Sequence, residues 1–191
     1  MVPEAPLHDT GAGLVPGGAG WFVLNARDAR CRDWPGLGKG VGFESDRHDF
    51  DQIGFGLVVL EPGEPMSMYH WETDQEDFLV LAGEAIAIVE GQERPLRQWD
   101  LVHCPPRASH VIVGAGDGPC TIFAVGAREN HTYRKPDGSL EGREDGGAYS
   151  VSEAAIRHGA GVEEETTDAA VAYARFPGYT RTRYRDGWLP W

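Results

Sequence analysis

Four side chains near the middle of this 191-residue chain are of types that bind divalent metal ions: His70, Glu72, Glu76 and His110. His70 and Glu72 are two positions apart, so a strand through them points both the same way. Glu76 follows a short polar break, Thr73, Asp74 and Gln75, and leads into the apolar run 78–81. His110 comes from a distant segment, just after Pro105 and Pro106, and opens the run Val111, Ile112, Val113. Two imidazoles and two carboxylates suit Fe(II), Mn(II), Ni(II) or Zn(II), and the spacing alone does not choose among them. Such a set leaves coordination positions open to a substrate oxygen or to O₂. Glu72 also has a second role open to it, since an unligated carboxylate there can move a proton.

The elements that must hold these groups read as short strands. Residues 53–60 form one apolar run, ended by the turn Glu61, Pro62, Gly63. Runs 78–81 and 85–89 flank Gly83 and Glu84, which predicts a hairpin. Residues 90–93 read as the next turn, and 101–104 as a strand stopped by the prolines. Runs 111–113 and 120–125 flank the glycine-rich stretch 114–119, which predicts a second hairpin. Many short strands without intervening helices predict an all-β sandwich or barrel.

The stretch from Gly63 to His110 resembles the cupins, small β-barrels with two metal-binding motifs. Their first motif runs Gly, five residues, His-x-His, three or four residues, Glu, six residues, Gly. Here Glu76 and Gly83 match its end, His70 matches the first histidine, and Glu72 stands where the second would be. Gly63 lies one residue further from the pair than usual. The second motif, Gly, five residues, Pro-x-Gly, two residues, His, falls on Trp99, Pro105, Arg107 and His110. Its proline and histidine are kept and both glycines are replaced. The resemblance covers roughly positions 50–126, in a single copy. It implies a cupin-type double-stranded β-helix, or jelly-roll barrel, to which the residues beyond it add a short helical C-terminal extension. It further implies metal-dependent dioxygenation, isomerisation or decarboxylation of small acids, carbonyl compounds or sugars. A cupin that only binds a small ligand, or whose metal only stabilises an assembly, remains open beside the enzyme.

Strand alternation in such a barrel turns His70 and Glu72 inward with Met66 and Met68. Glu76, Phe78 and Val80 form the next inward row, with His110 and Ile112 opposite, and Leu101 and His103 share one face of their strand. The expected pocket has a charged metal cluster at one end and walls of Met, Phe, Val, Ile and Leu. It suits a small, partly apolar ligand with an anionic or carbonyl oxygen on the metal. His103 reads as a core or hydrogen-bonded histidine near the site, and Cys104 as a buried small hydrophobe. Tyr69 and Trp71 read as outward-facing, and Arg107 as a solvated residue near the mouth. His8, His48, His131 and His158 read as surface or hydrogen-bonded histidines.

Composition bounds the rest. The formal net charge of −13 argues against nucleic acid or an anionic membrane as partner. Cys31, Cys104 and Cys120 form no disulfide pattern, which fits a reducing cytoplasm. No run reaches the length of a membrane span, and the first 20 residues have no signal-peptide core. Residues 1–20, rich in glycine and proline, read as a flexible arm, and 21–126 as the barrel with its motif core at 61–113. Within the latter, 21–24 reads as a first strand and 25–49 mostly as loop. Residues 127–191 read as a loop and helical extension that packs on the barrel or on a partner subunit. Residues 150–159 are predicted to form a helix capped by Ser152 and stopped by Gly159, and 163–175 a second helix. The aromatic tail, with Trp188 and Trp191, and the Trp21 segment offer apolar surface for a homodimer.

Overall fold

The structure, a computed structural model, describes residues 1–47, 50–129, 132–134, 140–142 and 146–190. Runs of valine, isoleucine and leucine broken by glycine and proline fold into strands throughout. In chain order these are β1 (Leu7–Asp9), β2 (Leu14–Pro16), β3 (Cys31–Asp33), β4 (Lys39–Gly42), β5 (Ile53–Leu60), β6 (Trp71–Glu72), β7 (Glu76–Ala82) and β8 (Glu84–Val89). There follow β9 (Gln92–Arg97), β10 (Leu101–Cys104), β11 (His110–Ala115), β12 (Cys120–Ala127), β13 (Thr132–Arg134), β14 (Leu140–Gly142) and β15 (Gly147–Ala148). The helices α1 (Glu153–Arg157) and α2 (Ala169–Ala172) come next, and β16 (Thr180–Thr182) closes the order. The all-β barrel with a short helical C-terminal extension is as expected from sequence.

A seven-stranded antiparallel sheet runs β10-β7-β12-β5-β4-β3-β16, and a three-stranded sheet runs β11-β8-β9. The segment before β6 follows β11 through bridges Pro65 to Val113 and His70 to His110. Inward-facing residues of the two sheets meet in one cluster that includes Leu60, Phe78, Val80, Ile112 and Ile122, all at most 2% exposed. Burying each such side chain is worth about 1.5–3 kcal/mol.

Two predicted hairpins are absent. β7 pairs with β10 and β12, whereas β8 pairs with β9 and β11, so Gly83 carries the chain from one sheet to the other. It does so at φ +76°, where a Cβ would lie 2.4 Å from the Pro119 carbonyl oxygen. The 114–119 loop likewise crosses from β11 to β12 in the opposite sheet. Both crossings read locally like hairpin turns, because a glycine turn between apolar runs carries no record of which strand the next run joins. Between these two crossings β8 and β9 do form a hairpin, where Val89 opposes Gln92 and the two turn residues, Glu90 and Gly91, have φ +50° and +73°. Two successive positive φ values match the twist of paired strands.

The ends of the chain are more ordered than composition suggested. Within 1–20, β1 and β2 form a hairpin whose Val15 is 6% exposed, in place of a flexible arm. Residues 21–24 are not a strand; Trp21 makes a single bridge to Glu4. The stretch read as loop contains β3 and β4, which extend the large sheet beside β5. Ser152 caps α1 by accepting from the Ala155 amide, and Gly159 follows it at φ +67°. The second helix is only one turn, started by Asp168. α1 lays Ala154 and Ala155 on the outer face of the small sheet against Tyr69, Ile88 and Val111. Tyr69 is thus outward-facing but covered by the chain's own extension. Among the described residues no helix is long and apolar enough to cross a membrane. His48, His131 and Trp191 lie outside the described residues.

Candidate metal centre

His70 and His110 sit directly opposite each other and exchange main-chain hydrogen bonds of 3.2 and 2.8 Å. Opposed residues of an antiparallel pair project to one face, so both rings enter the barrel, 5.1 Å apart. Each Nδ1 lies against a main-chain carbonyl, Met68 O at 2.7 Å and Ala108 O at 2.9 Å. A carbonyl only accepts, so each Nδ1 carries the proton and each Nε2 of a neutral ring presents a lone pair. Glu76, the first residue of β7, aims Oε2 at both: 3.0 Å from His110 Nε2 and 3.9 Å from His70 Nε2. Three ligand atoms from His70, Glu76 and His110 lie within 4.8 Å of one another.

Lone pairs converging on a carboxylate repel unless something positive sits among them. Glu76 Oε2 is buried and, among the described residues, lacks a hydrogen-bond partner of proper geometry. A buried acceptor in that state is costly. Burial opposes a charge on His110, yet the Cys104 sulfur and Glu76 carboxylate beside it push its pKa up to about 10. A proton between His110 and Glu76, or a metal ion held by all three groups, would satisfy this arrangement. Neutral imidazoles oriented by carbonyls through Nδ1 are the arrangement that metal-binding histidines adopt.

Glu72 Oε1 is 3.2 Å from His70 Nε2, but the side chain is 44% exposed and does not join the three-atom set. Cys104 is buried, as expected, and stands opposite Glu76 across β10 and β7. Leu101 and His103 share one face of β10, as expected, and it is the outer one. Leu101 is 65% exposed and His103 faces outward to pair with Asp77 at 2.7 Å, while Val102 and Cys104 face in. Arg107 takes the backbone of the glycine it replaces, at φ +71°, and lies over the Trp71 ring.

The residues expected as walls do not line the cavity, whose apolar lining comes instead from Val41, Phe43, Phe55, Leu57, Val58 and Val125. Met66, Phe78, Val80 and Ile112 pack as solid core, and Phe78 lies on His110 with ring centroids 5.3 Å apart. The space beside the carboxylates is a cavity of about 690 Å³, bounded by Glu72 and Glu76 at one side. Its floor follows from the strand register: Glu76 opposes Gly126, Gly126 opposes Gly54, and Ala124 opposes Gly56, which opposes Gly42. Rows of glycine and alanine on β12, β5 and β4 leave the volume that larger side chains would fill. Arg30, Arg32, Arg128 and Arg181 also line it. Sequence reasoning missed these arginines, because they reach the cavity from separate parts of the chain, Arg30, Arg32 and Arg181 at or beside the edge strands β3 and β16 and Arg128 just after β12. It also missed Tyr149, whose ring lies 5.8 Å from that of His70. The only local hint for Tyr149 was an aromatic residue in an otherwise polar stretch.

Residues 56–126 match the family described as Cupin domain. The chain carries a cupin domain. The match runs from β5 to β12 and holds all four predicted ligand positions, His70, Glu72, Glu76 and His110. Arg30, Arg32, Arg128, Tyr149 and Arg181 lie outside it, so part of the surroundings of the cupin site comes from the flanking segments. No curated protein sequence matches the chain. Among solved structures, the chain is similar to a sugar phosphate isomerase of the cupin superfamily from Silicibacter pomeroyi, 24% identical over 85% of this chain and 80% of that one, TM-score 0.47. It is also similar to a cupin 2 conserved barrel domain protein from Salinispora arenicola, 27% identical over 39% and 61% of the two chains, TM-score 0.36. A third is a polyketide cyclase from Streptomyces resistomycificus, 13% identical over 56% and 70%, TM-score 0.43.

Proposed function

We propose that the cupin domain makes this protein a metal-dependent enzyme acting on a small organic acid, carbonyl compound or sugar-like substrate. The observation that carries the reading is the buried Glu76 Oε2 facing the Nε2 atoms of two rings whose Nδ1 protons are committed to main-chain carbonyls. His70, Glu76 and His110 are the ligands in this reading, and two nitrogens with one carboxylate oxygen suit Fe(II), Mn(II), Ni(II) or Zn(II). Bound there, the metal supplies Lewis acidity that polarises a carbonyl or stabilises an enolate. Glu72, half exposed at the cavity edge and within hydrogen-bonding distance of His70, holds or moves a proton at the substrate. A carboxylate ligand in place of a third histidine lowers Lewis acidity, which favours proton-transfer chemistry such as isomerisation over hydrolysis. The Tyr149 ring and the β15 segment paired with β6 shield His70 from water.

Three unpaired, buried cysteines support a reducing cytoplasm for this protein. A homodimer belongs to the same reading, because Trp21 and Val23 are 53% and 79% exposed side by side. Gel filtration at micromolar concentration showing a monomer would defeat that part.

Elemental analysis of protein purified without an affinity tag tests the whole. Near-stoichiometric metal in the wild type that disappears in His70→Ala supports the site. No metal after exposure to Fe(II), Mn(II), Ni(II) and Zn(II) rules the enzyme out as drawn.

A further inference from the structure

The cavity has a second chemically distinct wall. The large sheet runs from β7, which carries Glu76, across β12, β5 and β4 to β3 and β16, and the last two strands bring arginines. Arg32 and Arg181 are direct Cα partners across β3 and β16, and both line the cavity. Like charges directly opposite each other destabilise a strand pair unless a counter-charge lies between them. Arg181 has one, since it grips Asp46 through both nitrogens at 2.8 and 3.1 Å. That same carboxylate already takes Arg30 at 3.0 Å. Arg128 is neutralised separately by Glu44, at 2.6 and 2.8 Å. Among the described residues Arg32 has no carboxylate partner; it rests only on the Tyr179 ring, 5.8 Å from its centroid. Arg30 and Arg181 thus share one carboxylate and Arg32 has none among the described residues, so the three guanidiniums exceed their carboxylate partners by two in a chain of net charge −13.

Among the described residues no further carboxylate offsets that excess. β3 and β4 would pair as well with Thr or Val at position 32. Arginine is the side chain that meets carboxylate or phosphate with two parallel hydrogen bonds, and it is weakly enough hydrated to do so at a cavity wall. The floor between this wall and Glu76 is Gly42, Gly56, Ala124 and Gly126, and a Cβ on Gly42 would meet nothing within 4 Å. The space between the two ends is thus left open, with a size that suits a small molecule.

We propose that Arg32, with Arg181 and Arg30, is the recognition site for an oxyanion group of the substrate, a phosphate or a carboxylate, held apart from the metal end. The substrate class is then a small molecule with two polar ends: an oxygen for the His70, Glu76 and His110 end and a separate anionic group for the arginines. The two-ended substrate rests on the metal reading above, while the oxyanion site itself does not.

Calorimetric titration of inorganic phosphate and of malonate into the chelator-stripped full-length protein tests this. Expected is saturable binding by the wild type that weakens roughly tenfold or more in Arg32→Gln and is unchanged in His70→Ala. Arg32→Lys, which keeps the charge and loses the two-pronged geometry, is expected to fall between, and it serves if Arg32→Gln does not fold. Preference for phosphate or for malonate tells which oxyanion the wall is shaped for. No saturable binding of either anion, or binding indifferent to both Arg32→Gln and Arg181→Gln, overturns the proposal. Loss of metal uptake with anion binding intact would instead sink the metal reading and leave this site standing.

Discussion

His70 and His110, forty positions apart in the chain, exchange both main-chain hydrogen bonds and thereby become one unit. The pairing fixes both rings on the inner face, and the carbonyls two residues before each ring fix its tautomer. Glu76 arrives on a different sheet, so the three-atom set exists only when the two sheets face each other. Any metal bound there is linked to folding of the whole barrel.

Glu72 and Glu76 are expected to separate cleanly. Glu76→Ala and His110→Ala lose the metal, because each removes one of three close donors. Glu72→Ala keeps metal near the wild-type level, since its carboxylate lies outside the three-atom set. Elemental analysis of the purified variants decides; loss of metal in Glu72→Ala would make that residue a ligand.

Metal should raise thermal stability measurably. A ligand at a hundred times its Kd adds about 2.7 kcal/mol, and a chain of this size shifts by about 2–4 °C per kcal/mol. A rise of roughly 5–11 °C on adding the preferred metal to stripped protein is expected. His110→Ala should show none. Differential scanning calorimetry with each of the four metals reads this and ranks them.

Filling the cavity should block it without harming the fold. Gly42 has open space where a Cβ would sit and no positive φ. Gly42→Leu is therefore expected to melt at or slightly above the wild-type temperature, since a strand glycine is replaced. Anion binding should be lost. Wild-type anion affinity in Gly42→Leu would show that the ligand does not occupy this space.

Gly83 is where the chain leaves one sheet for the other. Gly83→Ala forces a side chain into a positive-φ backbone and against the Pro119 carbonyl. The expected loss is at least about 2 kcal/mol, read from the shift of the urea midpoint at constant slope. An unchanged midpoint would mean that the crossing can relax.

The sequence by itself determined the strand-forming runs, the turn glycines, the cap at Ser152 and the positions of His70, Glu76 and His110. These are local properties: alternation, apolar runs and fixed spacings survive in the linear chain. It did not determine which strand each run would join. The 76–82 and 84–89 strands look like a hairpin because a glycine turn between two apolar runs is the same whether the chain folds back or crosses over. Pairing is settled by which faces bury together, and that is decided only when both sheets meet. The same reason explains the arginine wall. Arg32 and Arg181 are 149 positions apart and neither belongs to a motif; tertiary structure alone made them neighbours, by adding β3 and β16 to the edge of a sheet that already carried Glu76.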